Sequence, residues 1–563
     1  MKIPSFNYKS SSIFVWFVII ATIFLILYPI GFLLYGSVWS GSPGGDGHFT
    51  LDNYEYAFSD PKTYSLLTNS LVYAFGSALI GVSIATVLSF VTVRTDAPFR
   101  HQFRFIPLLP IILPGMVDNL AWIYLFSPNA GLVNVWFKNL FNTTTPLFNI
   151  YSMSGMIWVM GISLVPLAYL VISAAFFSID PSLEEAGRIA GSSLATILRK
   201  ITLPLMAPAI LSVFLLTFIQ AFESFETPAM IGLPAGIDVF MSQIYQAVVW
   251  AIPPSYGLGT AYATIILVIT LFSIYLYRRS TRRSEKYQVI TGKGYQPRQI
   301  SLGKWRYFGT AILFTYIFIH IIVVFSTVFL LSLQPYWDPN NLLGNITFKH
   351  YATVLTRGRI LSGLINSGIV SIVSATIVVL IASLIVYISR RSKSSSSGLL
   401  EGIGSLPLAF PGFVLGLGLL WTFLTLPIGV YGTLLVIMLA FLVKYLPHGI
   451  RFTSGALIGI HKDLEESSAV AGADWITTVR RVTFPLLRPA MTSAWIYVFV
   501  VSFRELSSVI FLITPHNEVL ATVLWDLFVN GSTELLAAAS ILLSLFLWAV
   551  IILATIIFKI RLR

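Results

Sequence analysis

The chain reads as twelve apolar runs set apart by short polar segments. The runs cover Ile13–Tyr35, about Leu66–Thr92, about Phe105–Phe126, Ser152–Phe177, Leu205 to about Phe222, Leu258–Tyr277, Phe308–Leu333, Leu361–Ile388, Leu406–Leu424, Tyr431 to about Phe452, Leu486–Phe503 and Leu535–Phe558. Each is long enough to carry a helix across the roughly 30 Å hydrocarbon layer of a bilayer. The pattern predicts an all-α polytopic membrane protein. The first run is long and lacks a small-residue cleavage site, so it reads as a retained helix and not a leader. The third is interrupted by Pro107, Pro110 and Pro114, which predicts a broken helix.

The pattern also repeats. Glu185, Gly191, Pro204 and Phe222 recur 281 residues later as Glu466, Gly472, Pro485 and Phe503. Tyr54, Asn69-Ser70 and Pro114-Gly115 recur 297 residues later as Tyr351, Asn366-Ser367 and Pro411-Gly412. The shift between the two offsets falls between Val117 and Pro166, where the first half carries a long loop, 128–149, that the second half lacks. A length change of this kind is tolerated in a surface loop. The expected domains are therefore 1–277 (core about 65–277), a basic linker 278–306, and 307–563 (core about 361–558).

Charge sets the orientation. Of 35 Lys and Arg residues, 27 fall on alternate segments taken as cytoplasmic, three near membrane edges (Lys444, Arg488 and Arg504), and five outside: Lys62, Lys138, Lys349, Arg357 and Arg359. That asymmetry places the linker and both termini inside. Six spans per half return the chain to its starting side, so the repeat is parallel, about an axis along the membrane normal.

Between the fourth and fifth runs lies EEAGRIAGSSLATILRKITLP (184–204), and between the tenth and eleventh EESSAVAGADWITTVRRVTFP (465–485). These are too charged for hydrocarbon and read as surface helices tied to a spanning helix. Asp180-Pro181-Ser182 is a helix start signal, Gly191 suits a bend or a close helix approach, and Pro204 can open the next span. Both copies resemble the EAA loop of inner-membrane permeases of binding-protein-dependent ABC importers. The first matches through Glu185, Ala186, Gly191, Ile201, Leu203 and Pro204, with Gly187 in place of the second Ala. In the second, Ser467 and Ser468 replace both Ala residues, Val482 the Ile and Phe484 the Leu. The resemblance implies the type I importer permease fold and makes Glu184, Glu185, Ala186, Gly191, Pro204, Glu465, Glu466, Gly472 and Pro485 the ATPase-coupling residues. It also implies two ATP-binding subunits on the cytoplasmic side carrying ATP and Mg, a solute-binding protein outside, and a bacterial inner-membrane location. The F-R-E-L-S segment at Phe503–Ser507 and the fused halves look most like ferric-iron permeases. Thiamine, polyamine and aminoethylphosphonate permeases are close relatives.

Composition narrows the chemistry. The chain is 56% hydrophobic and 10% charged, with mean hydropathy +0.83, and has no cysteine. Disulfides and thiol chemistry are excluded. The +12 net charge reads as inside loops and not as a nucleic-acid surface. Gly292-Lys293 lacks the flanking residues of a phosphate loop, and the seven His residues show no metal-ligand spacing, so no catalytic or metal residue is assigned. Charged residues in or beside the spans include Asp118, Glu223, Glu226, Arg504 and Glu505. With Phe222 and Phe503 they are candidates for the translocation path or its outer gate, the repeat placing Phe222-Glu223 opposite Phe503-Arg504-Glu505. A structural ion pair between halves, Arg504 with Glu223, fits the same residues. Asp118 fits either a wet cavity or a bond to neighbouring backbone. An ion-coupled secondary transporter is the rival class; it predicts buried carboxylates or broken helices near mid-membrane, and the clustering of charges at helix ends disfavours it.

Overall fold

The computed structural model describes residues 9–104, 106–179, 182–284, 300–391, 397–426 and 428–557. Among them no strand occurs; two isolated bridges, Trp39–Phe49 and Thr95–Ile300, are the extent of extended pairing. The reason is the solvent: in hydrocarbon each backbone donor must be satisfied within its own segment.

Ten helices are long and apolar enough to cross a membrane, and two further pairs are broken spans, giving up to twelve. In the first half these are α1 (Lys9–Ser37), α2 (Pro61–Arg94), the bent pair ending in α3 (Gly115–Phe126), α4 (Met153–Ser178), the short lever α5 (Ser182–Ile189), α6 (Ala195–Phe222) and α7 (Tyr256–Ser284). The second half gives α8 (Gly303–Leu333), α9 (Gly358–Arg391), the bent pair ending in α10 (Gly412–Thr425), α11 (Leu434–Ile458), lever α12 (Asp463–Val470), α13 (Ile476–Phe503) and α14 (Thr533–Ile557). The bends are 97° before α3 and 100° before α10, at the two Pro-Gly pairs. Residues 285–299 of the linker 278–306 lie outside the described residues, as do Asp180 and Pro181 of the expected helix start.

In each half the second helix is the centre of the bundle. α2 packs on α4 and α6, and α9 on α11 and α13. Small residues allow the approach: a Cβ on Gly81 would come within 2.8 Å of the Gly161 carbonyl oxygen. The first helices cross over. α1 packs on α10 of the other half, with Gly36 against the Trp421 ring and the Pro29 carbonyl against Gly418. α8 packs on α3 in the reciprocal way. The halves are thus clasped by each other's first helix.

Two expected boundaries shift. The fifth span begins at Ala195, not Leu205, and the eleventh at Ile476, not Leu486. A π-helical turn at Leu198–Thr202 and at Val479–Thr483 absorbs the misfit before Pro204 and Pro485, so the helix runs through. Segment 223–255, which the alternation of sides along the chain reads as an outer segment, is also no open loop. It folds back into the bundle, burying Phe225, Met230, Ile231, Phe240, Met241 and Ile244.

Candidate functional site

The lever end comes first. α5 ends in Gly191 at φ +77°, and α12 in Gly472 at φ +86°. Nothing lies within 4 Å of where their Cβ atoms would be, so glycine is there for its left-handed backbone alone. Backbone bonds close the turn, Ser192 N–H to Gly187 C=O at 3.0 Å and Ala473 N–H to Ser468 C=O at 3.1 Å. The chain then restarts as a helix capped by Ser193, which accepts from Thr196 N–H, and by Asp474, which accepts from Thr477 N–H at 3.1 Å. A hydrogen bond from the Thr477 side chain, with the bond from its backbone N–H, holds the Asp474 carboxyl below its usual range.

The first acid of each pair is the anchor. Glu184 is buried, paired with Arg94 at the end of α2, and accepts from Thr202 Oγ1 at 2.8 Å. Glu465 repeats this with Arg391, at 3.2 Å, and Thr483, at 2.8 Å. Glu185 is half-buried and Ala186 and Glu466 are exposed. Pro204 and Pro485, also exposed, follow the π turns. Leu183 and Ile189 are 46% and 88% exposed, and their mates Leu464 and Val470 49% and 74%. Arg94, Arg391, Thr202 and Thr483 were not singled out from sequence. The signal was available: each pair is identical at the same 297 or 281 offset.

At the opposite end a second device recurs. The Asn69 side-chain amide donates to Asp238 C=O at 3.0 Å, and Ser70 Oγ accepts from Phe240 N–H at 3.1 Å. Asn366 donates to Glu518 C=O at 2.8 Å, and Ser367 accepts from Leu520 N–H at 2.8 Å. These clamps satisfy backbone groups of the infolded segments, which is what permits their burial. Arg359, an exception to the charge asymmetry, is held by Glu518 and by Asp526 at 2.6 Å. Its neighbour Arg357 is exposed.

Between the two ends the halves meet. Phe225 stacks on Phe413 of the other half, ring centroids 4.9 Å apart, and lies 5.0 Å from Tyr245 and 5.1 Å from Trp525. Phe413 meets Phe511 at 4.5 Å, and Trp525 Nε1 donates to Tyr245 Oη at 3.1 Å across the halves. All five rings are buried. This aromatic plug uses Phe225, not the expected Phe222. Phe222 stacks on Phe218, and Phe503 packs on Phe499 and Phe546, each inside its own half. Helices α6 and α13 end at Phe222 and Phe503, and the residues past those ends make the crossing.

The charges gather beside the plug. Lys444 Nζ lies 2.5 Å from Glu505 Oε1, and Tyr445 Oη donates to Glu505 Oε2 at 3.0 Å. Arg504 reaches across to the Leu113 carbonyl of the first half at 2.7 Å. Half-buried Glu223 and Glu226 lie in the field of Glu505 and Lys444. The two Pro-Gly breaks are filled by opposite charges: a Cβ on Gly115 would lie 2.3 Å from the Glu226 carboxylate, one on Gly412 2.4 Å from the Lys444 ammonium. Asp118 is 5% exposed and held by Ser163 and, at 3.1 Å, Trp122. His320 Nε2, in a π turn of α8, stands 3.7 Å away. Its partners are side chains, one from the other half, and not the expected backbone. Among the described residues no group of three or more His, Cys, Asp or Glu is arranged to hold a metal ion.

Broken helices and half-buried carboxylates are therefore both present, so the feature meant to set aside a secondary transporter does not do so. Sequence comparison decides the class. The family of binding-protein-dependent transport system inner membrane components matches residues 77–286 and 378–561, one copy per half. The ferric transport system permease protein FbpB of Actinobacillus pleuropneumoniae is 24% identical over 544 residues, 95% of this chain and 76% of that one. The Fe(3+)-transport system permease protein FbpB 2 of Haemophilus influenzae is 23% identical over 476 residues, 83% of this chain and 84% of that one. A crystal structure of a bacterial ABC transporter importing the acidic polysaccharide alginate aligns with 48% of this chain and 97% of its own, at 20% identity and TM-score 0.41. With two copies of the family's domain in one polypeptide, this chain belongs to the inner-membrane permeases of binding-protein-dependent ABC importers.

Proposed function

We propose that this permease takes up iron(III), delivered by a solute-binding protein on the outer face and driven by two ATP-binding subunits that grip α5 and α12 from the cytoplasm. The observation that carries the reading is the doubled lever. Two short helices at the 281-residue offset, sharing Leu-Glu-Glu at their start, present Leu183 and Ile189, and Leu464 and Val470, as exposed apolar side chains. Large exposed apolar groups on an otherwise charged helix suit the groove of a partner. The charge asymmetry supports a cytoplasmic place for this end and for both termini. The cargo assignment is supported by two relatives that align with most of this chain and carry ferric transport names. The aromatic plug at Phe225 closes the path, and Glu223, Glu226, Arg504 and Glu505 flank it. Asp118, bonded on several sides, links the halves and does not contact solute.

Reconstitution tests the reading. Proteoliposomes holding this chain, its ATP-binding subunits and the binding protein should take up iron(III) only with ATP. Uptake driven by an ion gradient without ATPase would overturn it. Equal uptake of thiamine or a polyamine would overturn the cargo.

A further inference from the structure

Each lever is too short to hold its own shape. Isolated helices below about 12–15 residues are marginal in water, and α5 and α12 have eight. Each also ends at a glycine whose surroundings are open. What fixes a lever is the joint at its first acid. Glu184 ties α5 to Arg94 of α2 and to Thr202 at the root of α6, and Glu465 does the same with Arg391 and Thr483. The first joint is further stitched to the chain entering the second half: Ile300 N–H donates to Arg94 C=O at 2.7 Å, and Leu302 N–H to Asp96 Oδ1 at 2.9 Å.

The other end of the same helix holds the other device. Asn69 and Ser70 lie 25 residues before Arg94 on α2, about 38 Å along one unbroken helix. They grip Asp238 and Phe240, ahead of Tyr245 in the plug. Asn366 and Ser367 lie at the same distance from Arg391 on α9, and grip Glu518 and Leu520, ahead of Trp525. A helix without a break transmits displacement along its axis, whereas the bent third and ninth spans would absorb it.

We propose that α2 and α9 are pushrods. Arg94 and Arg391 receive the motion of the levers, and Asn69-Ser70 and Asn366-Ser367 deliver it to the two segments that carry the plug. These are positioning residues: they act on the gate through the helix and need no contact with solute. The proposal rests on the ATP-driven reading above.

The test uses the whole reconstituted complex. In the Arg94→Gln, Arg391→Gln variant, iron(III) taken up per ATP hydrolysed should fall about tenfold, a typical coupling loss. ATP should also no longer change amide hydrogen exchange in 238–250 and 518–529. A purely structural role would lower the yield of complex without changing these two readouts. Arg94→Lys with Arg391→Lys should recover much of the ratio. If the Gln variant does not assemble, Asn69→Leu with Asn366→Leu breaks the delivering end and should uncouple in the same way. Wild-type uptake per ATP in whichever of these variants assembles would overturn the proposal. A parent complex with no ATP-driven uptake would instead overturn the reading it rests on.

Discussion

At the lever end, Arg94, Glu184 and Thr202 have the same residue types as their repeat mates Arg391, Glu465 and Thr483, and make the same bonds. Beside the contact between halves the mates differ. Lys444 corresponds to Ser163, Phe225 to Leu506, and Asp118 to Leu415. The difference follows from what each region must do. If each lever takes one ATP-binding subunit, as proposed above, the two perform one task twice and the same chemistry serves both. One path has one centre, to which either half can contribute any part. Phe225 of the first half therefore packs on Phe413 and faces Trp525 of the second, and no second Phe225 is needed.

The sharpest way to break this comparison is at Lys444. Lys444→Met strands the Glu505 carboxylate and should destabilise by about 3 kcal/mol, read as a lower thermal midpoint in detergent. Adding Glu505→Gln should recover most of it. Its mate Ser163→Ala frees one acceptor position of Asp118 and should cost about 1 kcal/mol. Equal costs would show that the centre is symmetric after all. Next is the plug. Phe225→Ala should cost about 3 kcal/mol by leaving a cavity and should let vesicles leak iron(III) without ATP. Leu506→Ala should cost about 2–3 kcal/mol without the leak. A third comparison concerns the bends. Gly191→Ala and Gly472→Ala should each cost about 1–2 kcal/mol from left-handed strain, and equally, because neither Cβ would meet a neighbour. The smallest effect is at the clamps. Ser70→Ala and Ser367→Ala should each cost about 1 kcal/mol, matched within a few tenths, and a large inequality would break the repeat at that end.

Much of this was legible before any coordinates. Glycine at 191 and 472, in register beside charged residues, pointed to a bend or a close helix approach; both have positive φ and open surroundings, so the bend is what they serve. Asn69-Ser70 and Asn366-Ser367 were visible as a repeat, but what they grip was not, because Asp238 and Glu518 are gripped through backbone carbonyls that any residue supplies. Segment 223–255 looked like an outer loop because its polar and Pro residues interrupt the apolar run. Its burial depends on the clamps and on Phe225 finding Phe413.

The sequence by itself determined the apolar spans, the duplication and the place of both levers. Those follow from apolar length and from identities at a fixed offset, which are local or self-comparing. Only the tertiary structure decided that each first helix clasps the opposite half, that Arg94 and Arg391 hold the levers, and that Phe225 is the aromatic that crosses. Contacts of that kind join residues of unlike type and distant number, chosen by shape and by the need to satisfy buried charge, and no repeat arithmetic exposes them.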